Sequence, residues 1–397
     1  MPHHEVLIIG GGTAGLTVGA MLRNKPNPPA VTIVDPSTKH YYQPIWTLVG
    51  AGVFPKEVSE RNEVDYIPPG ANWIKDAVAT FDPEHNSVTL ASGETHTYDV
   101  LVVAAGIQIN WEAIPGLKES VGKLGTGVCS NYSYDTVDST WANIKQLKQG
   151  TALFTHPSTP IKCGGAPIKI CYLASDHWRK NGSGHKVKKK FIKGGPGIFA
   201  VKKYVDPLTK VADRYGIERV WKTDLVALHP EKKEAVFRHM ESGEEWTEAY
   251  DMIHVTPPMS VPDFIKNSPL ASAAGWVEVD KETTQHTRYT NVFSLGDCSN
   301  LPTSKTGAAI RKQAPATAEN IMAFLTGLDL PKQYDGYTSC PLVTGYGRLI
   351  LAEFDYDKQP RESFPFNQAE ERYSMYALKA YGLPKMYWHG MLRGREF

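Results

Sequence analysis

The sequence predicts an α/β fold made of βαβ units, and two observations predict it. The apolar, β-branched run Val6 to Ile9 breaks directly into a glycine-rich turn and is followed by a helical pattern, which is typical of a parallel sheet covered by helices. A second series of such units starts near Gln149. We therefore expect two Rossmann-like domains, of which the first is interrupted by the second, and a separate C-terminal region.

Composition sets the limits of the function. The chain has 397 residues, enough for two domains, and its 43 Lys and Arg residues against 42 Asp and Glu residues give a net charge of +1. This balance argues against nucleic acid as a partner.

We find no apolar run of the roughly 18 residues that span a bilayer, and the first strand begins so close to Met1 that we expect no signal peptide in the chain as given. Five cysteines without a C-x-x-C pair argue against a disulfide scaffold and a metal site.

The glycine turn has the G-x-G-x-x-G pattern of a dinucleotide site. Gly10 permits the tight turn, Gly12 lets the backbone approach a pyrophosphate, and Gly15 lets the helix pack closely on the strand. The helix over Leu16 to Leu22 offers unpaired N–H groups to the phosphates. The next strand ends in Asp35, about 20 residues past the last glycine, where an acid binds a ribose hydroxyl. The unit therefore predicts dinucleotide binding.

Two further stretches of the first domain are candidates for the same site. The segment Lys39 to Leu48 is dense in aromatic residues and is either a packed loop or a wall against a flat ring system. The buried strand from Tyr98 ends on the small residues Ala105 and Gly106, which allow a ligand to approach the backbone closely.

The domain boundaries follow from where these patterns recur. We assign 1–148 and 259–335 to the first domain, 149–258 to the second and 336–397 to the C-terminal region. Within the second domain the sequence predicts a strand at Ala152 to Thr155 and a helix at Ala166 to Arg179. The chain returns to the first domain through a strand that ends in Gly296-Asp297, followed by a helix from Gly307 to Leu325.

The second domain lacks a nicotinamide fingerprint. The turn His156 to Pro160 carries two prolines in place of glycines, and Gly195 to Ala200 again contains a proline. Each proline removes an N–H group that a pyrophosphate needs. NAD(P)H is therefore not the expected electron donor.

The C-terminal region mixes Trp, Tyr and aliphatic residues with lysine and arginine between Phe364 and Arg393. This pattern favours binding at a membrane interface, although the same residues could cap a soluble core or form a dimer contact.

Two cysteines stand out by their surroundings. Cys163 lies just before a predicted helix and near Lys162 and Lys169, whose charges together with the helix N-terminus lower the pKa of a thiol. Cys340 lies in a predicted loop directly before Pro341. In a chain that binds a dinucleotide, the two suggest a redox pair beside a flavin.

Several long motifs make the chain resemble the sulfide:quinone oxidoreductases of mitochondria and related bacteria, within the flavin-dependent disulfide reductase superfamily. The motifs span most of the chain: Gly10 to Gly15, His40 to Gly50, Lys162 to Pro167, Val255 to Met259, Gly296 to Thr306, Tyr334 to Gly345 and Leu351 to Tyr356.

The resemblance implies FAD as the cofactor. It places Thr13 and Ala14 at the phosphates, Asp35 on the adenosine ribose, Asp297 at the ribityl or pyrophosphate side, Lys305 at the flavin end, and Gln43 and Val78 as further contacts.

The resemblance also implies that Cys163 and Cys340 are the redox pair, held as a disulfide or as a bridge with an extra sulfur. Hydrogen sulfide is then oxidised there, and two electrons pass through FAD to ubiquinone or menaquinone. Sulfite, glutathione, cyanide or a second sulfide removes the outer sulfur. The implied location is peripheral, at a bacterial cell membrane or the mitochondrial inner membrane, and a homodimer is left open.

Some alternatives stay open. Cys129 falls about where many bacterial members carry a third redox cysteine, so it is a further catalytic candidate, whereas Cys171 and Cys298 are expected to be structural. An NADH:quinone oxidoreductase, a cytochrome-linked sulfide dehydrogenase and a flavin-binding redox sensor of the same architecture are the rival functions.

Overall fold

The computed structural model describes residues 1–396. The strands are β1 (His3–Ile9), β2 (Val31–Val34), β3 (Lys39–Tyr41), β4 (Glu60–Asn62), β5 (Asn72–Ile74), β6 (Val78–Asp82), β7 (Ser87–Leu90), β8 (Thr95–Val103), β9 (Gln108–Ile109), β10 (Val128–Cys129), β11 (Gly150–His156), β12 (Val187–Lys193), β13 (Ile217–Trp221), β14 (Thr223–His229), β15 (Glu234–His239), β16 (Glu245–Ala249), β17 (Met252–His254), β18 (Met259–Ser260), β19 (Val292–Ser294), β20 (Thr338–Gly345) and β21 (Arg348–Phe354). The helices are α1 (Thr13–Arg23), α2 (Trp46–Val49), α3 (Leu117–Ser120), α4 (Val137–Gln146), α5 (Ala166–Lys180), α6 (Lys202–Arg214), α7 (Asp263–Lys266), α8 (Gly307–Leu325), α9 (Tyr373–Ala377) and α10 (Leu383–His389).

The first sheet is organised around β1, which is buried between two parallel neighbours. The strand order is β5-β2-β1-β8-β7-β6, and β19 also pairs with β8. The pairs of β1 with β2 and β8 and of β8 with β19 are parallel. Parallel strands bring their carboxyl ends to one edge of the sheet. The glycine turn after β1, Asp35 after β2, Ala105 after β8 and Gly296 after β19 therefore meet at that edge.

The second sheet begins earlier in the chain than the boundary at residue 149 predicts. Its order is β10-β17-β11-β12-β13, with every pair parallel. Since β10 comprises Val128 and Cys129, we place the start of the second domain before this strand. Because β10 has only two residues, it shows no alternation of apolar and polar side chains. The sequence therefore does not predict this strand.

The predicted helices of both domains are confirmed at α5 and α8. The antiparallel sheet β14-β15-β16 was not predicted. Among residues 1–396, none of the helices combines the length and the apolar character that crossing a bilayer demands.

The prediction that Cys340 lies in a loop is wrong. Cys340 belongs to β20, which pairs with β21 in a two-stranded antiparallel sheet with Cys340 opposite Ala352. Pro341 is tolerated there because a strand of a two-stranded sheet has a free edge that needs no N–H donor. The pairing buries Cys340 to 1% exposure.

The C-terminal arm, which we define as residues 373–393, consists of α9, a π-helical turn at Leu378–Gly382, α10 and a 3₁₀ turn at Met391–Arg393. Many of its apolar side chains are packed inside the protein: Met375, Tyr376, Tyr387, Trp388, Met391 and Leu392. Tyr373 and Tyr381 remain 69% and 55% exposed. The arm therefore caps the core with one face, as the alternative interpretation held, and exposes few of its aromatic rings.

We expect Gly15→Ala to destabilise the protein strongly. A Cβ at Gly15 would lie 1.9 Å from the carbonyl oxygen of Gly10 and 3.1 Å from the Cγ2 atom of Ile8, so the backbone of the turn would have to move. The free energy of unfolding should fall by about 3 kcal/mol. The control is Gly197→Ala, where a Cβ would meet no atom within 4 Å. Denaturant unfolding of both variants measures the difference, and equal stabilities would contradict the packing role of Gly15.

Candidate active site

The glycine turn presents a set of backbone N–H donors to one edge of the first sheet. Gly10 has φ +106°, which favours glycine. The helix α1 begins at Thr13, and no side chain caps its N-terminal N–H groups. A Cβ at Gly12 would meet no atom within 4 Å. The N-terminus of α1 is therefore open to an anion, and its dipole favours phosphate.

Two carboxylates lie beside this turn. Asp35 accepts hydrogen bonds from the N–H groups of Gly11 at 2.6 Å and Ser37 at 2.7 Å. Glu63 is 1% exposed, and its Oε1 atom lies 2.6 Å from the position of a Cβ on Gly11. This Oε1 atom has no hydrogen-bond partner within residues 1–396. Sequence reasoning missed Glu63, because it is one of several acidic residues in the segment 57–65 and no motif distinguishes it.

The other end of the site is formed by the segment after β19. Gly296 donates its N–H to the Gln313 side chain at 2.9 Å, and the Lys305 ammonium donates to the backbone carbonyl of Asp297 at 2.6 Å. Burial raises the pKa of the Asp297 carboxyl, against the opposing charges of Lys305 and Lys162. Gln43 accepts a hydrogen bond from Lys162 at 2.7 Å, which joins the aromatic segment of the first domain to the cysteine loop.

Two of the remaining predicted contacts line the edge between these ends. Ala14 is buried in the first turn of α1 and lies next to Gly296, since a Cβ on Gly296 would be 3.2 Å from the Ala14 Cβ. Val78 is buried at the start of β6, where it pairs with Leu90, and its contact with the cofactor stays a prediction. Gly106 has φ +73°, and a Cβ there would meet no atom within 4 Å.

These features fit an extended dinucleotide such as FAD. The backbone is open at Gly12 and Gly106, and the unpaired Glu63 oxygen is a buried acceptor that native proteins normally satisfy with a partner or ligand. A phosphate group would lie at Thr13 and Ala14, a ribose at Asp35, and the ring end near Lys305.

The backbone of Cys163 is hydrogen-bonded to Lys305, at the end of the site where the flavin ring is expected. Its N–H donates to the backbone carbonyl of Lys305 at 2.8 Å, and its carbonyl accepts from Ala166 in the first turn of α5. Its φ of +53° lies in the left-handed region, which is uncommon for a residue other than glycine. Strain of this kind is concentrated at functional sites.

The structure brings Cys163 and Cys340 together as free thiols. The neighbouring Cys340 thiol lowers the pKa of Cys163 well below its ordinary value, against the opposing effect of burial. The Lys169 ammonium, 3.4 Å from the Cys163 Sγ, lowers the pKa further. The neighbouring Cys163 and burial raise the pKa of Cys340. Cys163 is therefore the thiolate of the pair, and Cys340 the neutral thiol.

A second lysine, missed by sequence reasoning, approaches the pair from the C-terminal arm. Lys379 is 2% exposed, and its ammonium donates to the Pro44 carbonyl at 2.6 Å. Burial lowers the pKa of Lys379 to about 7, an effect that the charge of Lys169 increases and that of Cys163 opposes. The helical spacing of residues in the arm places Lys379 on the side that packs against the core. This periodicity is the sequence pattern that could have predicted its burial.

The other cysteines are packed in the interior. Cys129 is fully buried in β10, its thiol donates to the carbonyl of Ile253 at 3.5 Å, and burial raises its pKa to about 12. Burial also raises the pKa of Cys171 and of Cys298. A neutral, buried thiol is a poor nucleophile, so the structure gives Cys129 the surroundings of a packing residue. Its catalytic role stays a prediction.

Comparisons with known proteins agree with this geometry. The family model for pyridine nucleotide-disulphide oxidoreductases matches residues 4–139. The chain is 50% identical over 396 residues to the mitochondrial sulfide:quinone oxidoreductase of Dictyostelium discoideum, and the match covers 99% of this chain and 87% of the Dictyostelium protein. It is 47% identical over 393 residues to the mitochondrial sulfide:quinone oxidoreductase of Mus musculus, with the same coverages.

Solved structures show the same fold. The crystal structure of the sulfide:quinone oxidoreductase from Aquifex aeolicus superposes with a TM-score of 0.82 at 19% identity, over 100% of this chain and 92% of that one. The match extends over the whole of this chain and shows that the fold is shared.

We expect Lys169→Met to make Cys163 less reactive. Loss of the neighbouring ammonium raises the pKa of Cys163, so its alkylation by iodoacetamide at pH 7 in the reduced protein should slow by roughly tenfold and its pH profile should move to higher pH. Mass spectrometry of the Cys163 peptide measures the rate. Lys189→Met is the matched control, because Lys189 is a buried lysine of the same domain that donates to the Gly184 carbonyl. A Cys163 profile that is the same in both variants would contradict the role of Lys169.

Proposed function

The chain belongs to the sulfide:quinone oxidoreductase family, and from this premise we propose that it oxidises sulfide at Cys163 and Cys340 and passes two electrons through FAD to a membrane quinone. The observation that carries the proposal is the proximity of the two sulfur atoms at the ring end of the dinucleotide site, where each shifts the pKa of the other. The cysteines come from segments far apart in the chain. Cys163 contacts the backbone of Lys305 and the Lys169 ammonium, and the charge of Lys169 also lowers the pKa of Cys340.

FAD, when bound, supplies a two-electron carrier between the sulfur chemistry and the quinone. The residues that we propose to hold it are Gly10, Gly12, Thr13, Ala14, Gly15, Asp35, Gln43, Val78, Ala105, Gly106, Gly296, Asp297 and Lys305. Lys305 keeps a positive charge at the ring end while its backbone carbonyl fixes Cys163.

The two pKa shifts decide which sulfur is attacked. In the oxidised enzyme the two cysteines form a disulfide, or a bridge with an extra sulfur. In the disulfide form, HS⁻ forms a bond to one sulfur and the other leaves as a thiolate, and the thiol with the lower pKa leaves faster. Cys163 is that thiol. Attack therefore falls on Cys340, which becomes a persulfide, while the Lys169 ammonium stabilises the Cys163 thiolate.

The outer sulfur then has to leave Cys340. A nucleophile such as sulfite, glutathione, cyanide or a second sulfide attacks the outer sulfur, takes it away and leaves the Cys340 sulfur with the electron pair. Closing the bond between Cys163 and Cys340 again releases two electrons, which leave through FAD to ubiquinone or menaquinone. Lys169 and Lys379 give this side of the pair a positive potential, which favours anionic sulfur species.

The membrane side of the reaction is assigned to the C-terminal arm. Tyr373, Tyr381 and Lys385 are exposed on it, and aromatic and basic side chains favour the headgroup region. We propose peripheral attachment through this face, either to the mitochondrial inner membrane, as the names of the two relatives suggest, or to a bacterial cell membrane. Whether the protein is a homodimer stays open.

An anaerobic titration of the flavin tests the proposal. Sulfide should bleach the flavin absorbance of the holoenzyme, and added quinone should restore it, whereas NADH at the same concentration should leave it unchanged. Bleaching by NADH would support the rival NADH:quinone oxidoreductase. Reoxidation by cytochrome c, with none by quinone, would support a cytochrome-linked sulfide dehydrogenase.

Substitution of the cysteines locates the chemistry. Cys163→Ser and Cys340→Ser should each reduce sulfide-dependent quinone reduction at least a thousandfold, because neither the disulfide nor the leaving thiolate can form. FAD should stay bound in both variants. Cys129→Ser is the control and should retain most of the activity. Normal turnover in either of the first two variants would move the sulfur chemistry to another residue.

The membrane assignment makes a separate prediction. The double variant Tyr373→Ser/Tyr381→Ser should bind vesicles of anionic phospholipid about tenfold more weakly, because it loses two interfacial rings. Sedimentation with the vesicles measures this binding. Leu124→Ser/Leu328→Ser removes two exposed apolar side chains outside the arm, which are 97% and 67% exposed, and should leave binding unchanged. Equal losses in both double variants would mean that the arm has no special part.

A further inference from the structure

A buried hydrogen-bond chain connects the C-terminal arm to the glycine turn. The Tyr387 hydroxyl lies 2.8 Å from the Thr13 Oγ1 and 2.5 Å from the His40 Nε2. The Nδ1 of His40 lies 3.0 Å from the Glu63 Oε2. Tyr387, His40 and Glu63 are 3%, 4% and 1% exposed. We call these four residues the relay.

We propose that the relay makes Tyr387 a positioning residue for FAD: it orients the Thr13 hydroxyl to donate its proton to a phosphate oxygen of the cofactor. This inference rests on FAD lying along the glycine turn and goes beyond the sulfur chemistry proposed above.

Counting protons shows why the direction of the relay matters. The Tyr387 hydroxyl has one proton, which it can give either to His40 or to Thr13. If Tyr387 donates this proton to His40, Thr13 must donate its own proton to Tyr387. Only the lone pairs of the Thr13 hydroxyl then face a phosphate. If the His40 Nε2 carries a proton, it donates to Tyr387, Tyr387 donates to Thr13, and the Thr13 proton is free. An anionic phosphate therefore selects the second arrangement.

The surroundings of His40 leave its Nε2 directed at Tyr387. Its Nδ1 lies 3.0 Å from the Glu63 Oε2, and burial raises the pKa of the Glu63 carboxyl, against the opposing hydrogen bond with His40. The remaining titratable or charged groups around the relay are Tyr66, whose ring is 6.2 Å from His40, Arg61 over the Trp388 ring, Arg393 over the Tyr66 ring, Tyr42 beside Tyr387 and Asp35 beside Glu63.

The far end of the relay gives a second, independent indication of a ligand. The Glu63 Oε1 is a buried acceptor without a partner in residues 1–396 and is directed at Gly11, next to Asp35. Buried unpaired acceptors normally mark a missing water or ligand. One end of the relay thus reaches the predicted phosphate position and the other the predicted ribose position, so the cofactor would contact both.

The coupling has a structural consequence for the arm. Tyr387 joins α10 to the first turn of α1 through Thr13, so the arm that carries the exposed tyrosines is fastened at the cofactor site. Cofactor binding and the docking of the arm should therefore stabilise each other.

The test measures FAD affinity instead of turnover. Tyr387→Phe removes the hydroxyl and keeps the ring, and the dissociation constant of FAD, followed by the recovery of flavin fluorescence on diluting the holoenzyme, should rise about tenfold. Thr13→Ala should give a similar rise, Thr13→Ser should keep the wild-type affinity, and Tyr387→Phe in the Thr13→Ala background should have no further effect. The control is Tyr215→Phe, which removes a buried tyrosine hydroxyl that donates to the Thr344 carbonyl at 2.8 Å.

A substitution of His40 separates the relay from simple packing. Because the relay requires a donor at the His40 Nε2, His40→Phe should also raise the dissociation constant of FAD, and Tyr387→Phe in the His40→Phe background should have no further effect. Wild-type affinity in both Tyr387→Phe and Thr13→Ala, or independent effects of His40→Phe and Tyr387→Phe, would overturn the proposal. Failure of sulfide to bleach the flavin, with these affinity changes intact, would overturn only the proposed function.

Discussion

The meeting of the Cys163 and Cys340 sulfur atoms, each of which shifts the pKa of the other, is the contact on which the site depends. Cys163 is fixed by the backbone of Lys305, and Cys340 is fixed by the hairpin of β20 and β21. The two elements approach closely because Gly165 has no side chain: a Cβ there would lie 2.5 Å from the Leu342 Cδ2. Bringing distant segments together costs chain entropy, which the buried packing of α5 on the hairpin offsets.

Two buried lysines lie beside this pair of cysteines, and the burial of their charges lowers the stability of the fold. Lys169 and Lys379 are 3% and 2% exposed, and removing an ammonium from water costs several kcal/mol unless it is paired. Lys169 is compensated by the Cys163 sulfur, and Lys379 by a backbone carbonyl. A purely structural core would hold apolar side chains at these positions, so their burial is better explained by the sulfur chemistry they surround.

The C-terminal arm connects the three parts of the proposed reaction. Its inner face carries Lys379 toward the cysteines and Tyr387 toward the glycine turn, and its outer face exposes Tyr373 and Tyr381. An amphipathic segment of this kind satisfies its apolar residues on the core and leaves a few rings for an interface. The capping interpretation of the sequence is therefore confirmed for the inner face, and binding of the outer face to a membrane interface stays a prediction.

The sequence by itself determined what local pattern controls: the βαβ unit around Gly10 to Gly15, the helices α5 and α8, and Cys163 and Cys340 as candidates for a redox pair, together with the expectation that Lys169 lowers the pKa of Cys163. It did not show that Cys340 lies on a strand, that β10 belongs to the second sheet, or that Glu63 and Lys379 face the site. These depend on pairing and packing between residues far apart in the chain, which propensity and short-range periodicity do not encode. Tertiary structure alone decided that Cys340 lies beside Cys163 and shifts its pKa, because the two sulfurs belong to segments that only packing brings together.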